Sequence, residues 1–303
     1  MRIPKPHLVK VAAERLGVYR LLLRVRPLRD VAVLCYHGIT VDETPGQSEL
    51  HVTAERFDEH CRVLRELCTP ISLAEFGAIA SGQASAPPAP IVLTFDDGYR
   101  NMLTMALPIL ERWAIPAAVF VCPDVIASER LHWFDAIAED RDEAIARVRD
   151  GSEAGWRAAY AQLRRQFDPD HPLAVLSRSE LQQLARHPLI TVGAHTLRHP
   201  SLATLARASQ EDEIATSRAV LAEWLGQPPA WFAYPFGESP RDFTSDTEEL
   251  VRAAGYTDAF MVGETYTRPG AMRWRQRRIC MTQSTTGSEL AHRLAVSYPR
   301  HVE

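Results

Sequence analysis

The 303 residues contain no CxxC pair, and the five cysteines (Cys35, Cys61, Cys68, Cys122 and Cys280) are odd in number. Neither a disulfide framework nor a cysteine-ligated zinc site is indicated, and a reducing compartment fits best. Cys35, Cys122 and Cys280 sit in apolar runs and read as small core residues. Runs of roughly 18 or more apolar residues are missing, so no membrane-spanning helix is expected. An excess of positive charge is missing too: the net charge of −4 gives no general reason to expect nucleic acid as a partner. Hydrophobic and charged fractions of 46% and 24% are those of a soluble globular chain. Neither an internal repeat nor a second independent core is visible.

Charge is nonetheless unevenly spread. Residues 1–29 hold eight basic residues (Arg2, Lys5, Lys10, Arg15, Arg20, Arg24, Arg26, Arg29) against Glu14 alone, a balance of +7, which leaves −11 for the rest of the chain. Leu8, Ala12, Leu16, Tyr19 and Leu23 recur there at helical spacing. A secretory signal would need an unbroken apolar region, and Glu14, Arg15 and Arg20 interrupt it. Two readings stand: a basic amphipathic helix lying on an anionic membrane surface, or one packed on the domain with a solvated basic face. Either way residues 1–29 are expected to be an N-terminal helix ahead of one domain over 30–303. The setting expected is cytoplasmic, with peripheral contact to the inner membrane under the first reading.

Beyond that segment, short apolar runs alternate with helical patterns. The strands expected are Val31–Tyr36, Ile91–Phe95, Ala117–Cys122, Ile190–Gly193, Trp231–Tyr234, Ala259–Val262 and Arg278–Met281. Helices are expected at Ala54–Leu67, Leu73–Ala80, Met102–Trp113, Glu180–Arg186, Ser209–Leu225 and Thr247–Ala254. Such alternation implies an α/β fold with parallel strands and crossover helices, and seven strands suit a barrel better than an open sheet. Ser81–Pro90 reads as a loop, and a charged stretch at about 127–178 reads as a helical insertion over one rim.

Polar clusters follow four of these strands directly: Tyr36-His37, Asp96-Asp97-Gly98, His195 to His199, and Tyr234-Pro235-Phe236-Gly237. In a parallel barrel the carboxyl ends of all strands open on one rim, so the four would converge. Asp-Gly after a strand is in itself an ordinary turn signal. Two adjacent acids there point in different directions, which lets one bind a metal while its neighbour faces a water. His195 and His199, four apart, would share one face of a helical turn and grip one ion. With a strand-end aspartate they make a two-histidine, one-carboxylate site with open positions for water and substrate.

TFDDG, then HTLRH, then the YPFG turn, together resemble the polysaccharide deacetylases with NodB homology. The resemblance runs from about Val31 to about Met281. YHGI and FAYPFG look closest to the bacterial subgroup associated with biofilm and surface polysaccharides. It implies a distorted (β/α)₇ TIM-like barrel and removal of an N-acetyl group from a GlcNAc-type amino sugar, in a glycan or in its lipid- or nucleotide-linked precursor. It further implies Asp96 as general base, Asp97, His195 and His199 as ligands of one divalent ion (Zn²⁺, with Co²⁺ or Ni²⁺ as substitutes), and the Phe236 N–H beside Pro235 as oxyanion donor. Removal of a formyl or an O-acetyl group by the same site is a rival reading, and a non-catalytic glycan-binding protein is another.

The chain departs from the family pattern twice. Ala233 stands where many members have an arginine, and Arg278-Ile279-Cys280-Met281 stands where many have a leucine-x-histidine motif whose histidine is the general acid. His37 is the candidate replacement acid, its alternative being a buried histidine bonded to backbone. Arg278 is the arginine expected to orient Asp96. Trp133 is expected either to stack on a sugar ring or to anchor the insertion, and Tyr234, Tyr99 and Asn101 are further candidates for substrate contact.

Overall fold

The computed structural model describes residues 5–25, 30–42, 48–128, 131–136, 141–161 and 171–297. Parts of the N-terminal segment and of the expected insertion therefore lie outside the described residues.

Seven strands, β1 (Ala32–Tyr36), β2 (Pro90–Phe95), β3 (Ala117–Val121), β4 (Ile190–Ala194), β5 (Trp231–Ala233), β6 (Asp258–Val262) and β7 (Gln276–Cys280), pair in chain order and all in parallel. The ring closes because β1 also pairs with β7, with Cys35 opposite Cys280. This is the expected (β/α)₇ barrel, and each expected strand lies within two residues of the observed one. Strands covered on both faces need apolar residues on both, which is why they read as continuous runs. Alternate residues fill the lumen: Val31, Val33, Val92, Ala118, Phe120, Ala233 and Phe260 form one buried cluster with Ile71, Leu73 and Phe76.

The helices begin where the sequence offers caps. The Thr53 side chain accepts from Arg56 N–H at the start of α3 (Ala54–Leu67). Ser72 and Glu75 form a capping box at the start of α4 (Leu73–Ala80). Two expectations are corrected. Met102–Trp113 opens as a wide π turn over Met102–Ala106 before the α-helix Leu107–Trp113; Pro108 has no N–H to give to the preceding turn. The N-terminal segment forms two helices, α1 (Lys5–Arg15) and α2 (Val18–Val25), broken at Gly17 with φ +70°. They are fixed to the barrel side by Glu14 on Arg62, by Lys10 on Glu289 and by the buried Tyr19 and Leu23. In the insertion, helices Arg141–Arg149 and Glu153–Ala161 are described.

Candidate active site

The barrel brings the four polar clusters to one rim, around a cavity of about 370 Å³ lined by His37, Asp96, Asp97, His195, His199, Tyr234 and Phe236, among others. The backbone there is unusual. Among the described residues six non-glycine residues have positive φ, and four of them, Asp97, Thr196, His199 and Phe236, lie in these rim loops. Such conformations persist only where surroundings enforce them, and they concentrate at functional sites. Gly98, at φ +68°, turns the chain directly after Asp97; a Cβ there would meet Val121 Cγ1 at 2.9 Å.

His195 and His199 do not sit on a helical turn as expected. The segment is an irregular bend, with Thr196 Oγ1 accepting the His199 N–H at 3.0 Å. Glu213, buried on the helix Arg207–Leu225, accepts the N–H groups of Leu197 and Arg198 at 3.1 and 2.9 Å and the Arg198 guanidinium at 2.8 Å. Sequence reasoning missed Glu213; its only signal was an acid on the inward phase of an amphipathic helix. The bend still converges both rings on Asp97, whose Oδ1 lies 3.3 Å from His199 Nε2 and 3.7 Å from His195 Nε2. His195 Nδ1 lies 2.8 Å from the Ala233 carbonyl, which requires Nδ1–H and leaves a lone pair on Nε2.

This donor set fits a divalent cation. Asp97 Oδ1 is buried and without a hydrogen-bond partner, although it faces two imidazole nitrogens. Burial, then the neighbouring charge of Asp96, pushes the Asp97 carboxyl well above the usual carboxylate range. Burial likewise pushes His199 well below the ordinary histidine range and lowers His195, so both rings are neutral at pH 7. A buried acid facing neutral imidazoles lacks the positive charge that a cation supplies.

Asp96 is held differently. Arg278 Nη1 and Nη2 reach its two oxygens at 2.6 and 2.7 Å, and Nη1 also reaches Thr94 Oγ1 at 3.2 Å. Both residues are buried. Burial alone would raise the Asp96 pKa, but the Arg278 charge and then that of His195 outweigh it and hold it well below the carboxylate range. Cys35 Sγ lies 3.4 Å from Asp96 Oδ2, and Cys280 lines the cavity instead of serving as plain core filler.

His37 is half-buried at the rim. Its Nδ1 has no hydrogen-bond partner, and a ring nitrogen lies within 4.8 Å of an Asp96 oxygen and of Cys35 Sγ. The backbone bond envisaged in its alternative reading does not reach that nitrogen. Tyr234 stacks on Phe243 at 3.8 Å between centroids. Its hydroxyl is buried and without a partner. Phe236 borders the cavity, whereas Pro235 accepts the Gly237 N–H behind it.

Three of the candidates for substrate contact make internal hydrogen bonds. Trp133 is buried and donates its indole N–H to the His199 carbonyl at 3.1 Å, so it braces the His195–His199 bend. Tyr99 donates to Asp135 at 2.6 Å, and Asn101 bonds Ile39 N–H and the Pro172 carbonyl. The insertion contributes residues that sequence reasoning did not single out. Arg141 packs over Phe134, and Arg149 over Phe236 at 5.0 Å while bonding Asp242.

Comparison with known proteins agrees with this geometry. The polysaccharide deacetylase family profile matches residues 83–259, more than half of the chain. The chain therefore belongs to the polysaccharide deacetylase family. It is 23% identical over 240 residues to YxkH of Bacillus subtilis (strain 168), a provisionally named polysaccharide deacetylase, covering 79% of this chain and 65% of that one. It is 32% identical over 92 residues to the poly-β-1,6-N-acetyl-D-glucosamine N-deacetylase of Escherichia coli (strain K12), covering 30% of this chain and 14% of that enzyme. The chain thus spans less than two thirds of the length of either relative. Among solved structures, Streptococcus pyogenes deacetylase PplD in complex with acetate superposes with a TM-score of 0.65 at 19% identity, over 87% of this chain and 97% of that one. That likeness shows the fold.

Proposed function

We propose that this protein is a metal-dependent hydrolase that removes the N-acetyl group of a GlcNAc-type amino sugar, in a polysaccharide or in its lipid- or nucleotide-linked precursor. One observation carries the reading: two adjacent carboxylates on one rim have opposite surroundings. Asp96 is kept ionised by Arg278, while the buried Asp97 faces two neutral imidazoles with an unpartnered oxygen. A pure binding site needs no such division.

Asp97, His195 and His199 would hold Zn²⁺, with Co²⁺ or Ni²⁺ as substitutes. When bound, such an ion polarises an amide carbonyl and lowers the pKa of a nearby water toward ~7. Asp96, fixed in position and ionised, accepts the proton of the attacking water. The Phe236 N–H, which makes no internal hydrogen bond among the described residues, donates to the developing oxyanion, a contact typically worth ~3–4 kcal/mol. His37 delivers a proton to the departing amine, in place of the histidine that the last motif lacks. The name of the E. coli relative supports an N-acetylglucosamine polymer as substrate class. A precursor substrate would place the reaction on the cytoplasmic side of the membrane.

The test is a product assay on a β-1,6-linked N-acetylglucosamine oligomer. Acetate should appear in step with free amine, and a chelator should stop both. Formate released from the N-formyl analogue at a far higher rate, or acetate from an O-acetyl sugar alone, would favour the rival hydrolases. No release from any of the three would overturn the hydrolytic reading.

A further inference from the structure

The N-terminal helices present a second surface, distinct from the cleft. Among the described residues eight large hydrophobic side chains are exposed, and five of them, Leu8, Val9, Leu16, Val18 and Leu21, fall within α1, α2 and their junction. Their spacing is not random. Leu8, Ala12 and Leu16 recur every four residues, with Val9 beside them, so α1 turns one apolar stripe to solvent. Leu16 is 80% exposed, Val9 67% and Leu21 62%. The opposite faces dock on the barrel through Tyr19 and Leu23, and through Glu14 and Lys10 paired to Arg62 and Glu289. The stripe expected to be continuous from Leu8 to Leu23 is therefore split at Gly17: its second half is buried and its first half is left open.

Basic side chains flank the open stripe. Arg15 and Arg20 are exposed next to Leu16 and Leu21, Arg20 also standing 3.9 Å from the half-exposed Glu66, in a segment carrying eight basic residues and one acid. Exposed leucines of this number are unfavourable in water unless something covers them. A second copy of the chain is a poor cover: a two-fold interface would set this basic segment against itself. A layer offering phosphates at its surface and hydrocarbon just beneath satisfies both halves of the pattern.

We propose that the outer face of α1 and α2 docks on an anionic lipid bilayer, with Leu8, Val9, Leu16 and Leu21 at the acyl boundary and Arg15 and Arg20 on lipid phosphates. The site is independent of the deacetylase reading, since no cleft residue takes part. Neither helix spans the bilayer; among the described residues no helix is long and apolar enough to cross one.

Sedimentation of the full chain with phosphatidylcholine vesicles, with and without phosphatidylglycerol, tests it. Binding should require phosphatidylglycerol and weaken with salt. Leu16→Glu with Leu21→Glu should lower partitioning about tenfold or more, and Arg15→Glu with Arg20→Glu should remove its salt dependence. Both pairs are exposed, so circular dichroism and Tm should match the parent. Absence of binding, equal binding to neutral vesicles, or parent-like binding by the leucine variant would overturn the proposal. So would light scattering that shows a dimer dissolved by the leucine variant, which would make a second copy the occupant.

Discussion

Arg278, on the last barrel strand, grips both carboxylate oxygens of Asp96, at the end of the second, at 2.6 and 2.7 Å. The two are far apart in sequence and both are buried, so each neutralises a charge that the lumen would otherwise not tolerate. Arg278→Lys keeps the charge but loses the fork. We expect kcat to fall roughly 10–100-fold, in the range of a mispositioned proton acceptor. The acid limb of the kcat/KM profile should also move to higher pH. The sign follows from the pair: Arg278 holds the Asp96 pKa down, so a weaker partner lets it rise, and Asp96 then protonates at a higher pH. Removing the charge altogether, as in Arg278→Met, should destabilise the fold by ~3–5 kcal/mol, read as a lower urea midpoint.

The two adjacent acids should separate cleanly. Asp96→Asn is expected to retain the ion while losing ~10²–10⁴-fold in turnover. Asp97→Asn and His199→Ala should lose the ion itself, measured by elemental analysis of dialysed protein. Equal metal loss from Asp96→Asn would reverse the assigned roles, and full occupancy in His199→Ala would remove that residue from the ligand set.

Much of the barrel was legible because its strands are covered on both faces. An apolar run such as Ile91–Phe95 marks a strand, and the polar residue that ends it marks the rim. The acid pair, both histidines and His37 were expected on one rim this way, since topology alone carries strand ends together; Arg278 was singled out instead from the basic stretch ahead of the last strand. The shape of the His195–His199 bend was not legible. The left-handed Thr196 and His199 depend on Glu213, which arrives from another element, and no local pattern announces it. Trp133 carried two readings for a related reason: an aromatic at a rim looks the same in sequence whether its N–H faces a sugar or a backbone carbonyl. Gly17 was the visible cue to a helix break, but an amphipathic stripe running past it spoke for one helix.

Buried histidines make the fold sensitive to acid. His60 donates from Nε2 to the Thr285 carbonyl at 2.6 Å, and its Nδ1 lies 3.1 Å from the Tyr36 hydroxyl, from which the neutral ring can accept. Burial, partly offset by the Thr285 bond, lowers its pKa to about 4. Between pH 6.5 and about 4 the unfolded chain takes up a proton that the folded ring refuses, so stability falls as pH drops through this window. The contribution of His60 approaches ~3 kcal/mol at ~1.4 kcal/mol per pKa unit. Urea unfolding at a series of pH values should show that slope, and it should be shallower in His60→Gln. His51 and His132, lowered to about 3 by burial, leave a residual slope in the variant. An unchanged slope in His60→Gln would mean that His60 titrates normally.

His37 is the sharpest test of the mechanism. Burial lowers its pKa to about 4, against the opposing pull of Asp96, so the ring is neutral at pH 7. A neutral imidazole cannot donate a second proton to an amine, so it must first receive one. On the proposed mechanism Asp96 gains a proton as water attacks, and a ring nitrogen of His37 lies within 4.8 Å of an Asp96 oxygen. The relay can therefore run from water to Asp96, to His37, to the leaving nitrogen. Protonation of the nitrogen matters for an amide and not for an ester with a good leaving group, which departs as its anion. His37→Ala should accordingly lower kcat on an N-acetyl sugar by ~10²-fold or more while sparing an aryl acetate, with metal content unchanged. Equal losses on both substrates would make His37 a structural residue. Unchanged kcat on the amide would send the search for the proton donor to another group on the rim.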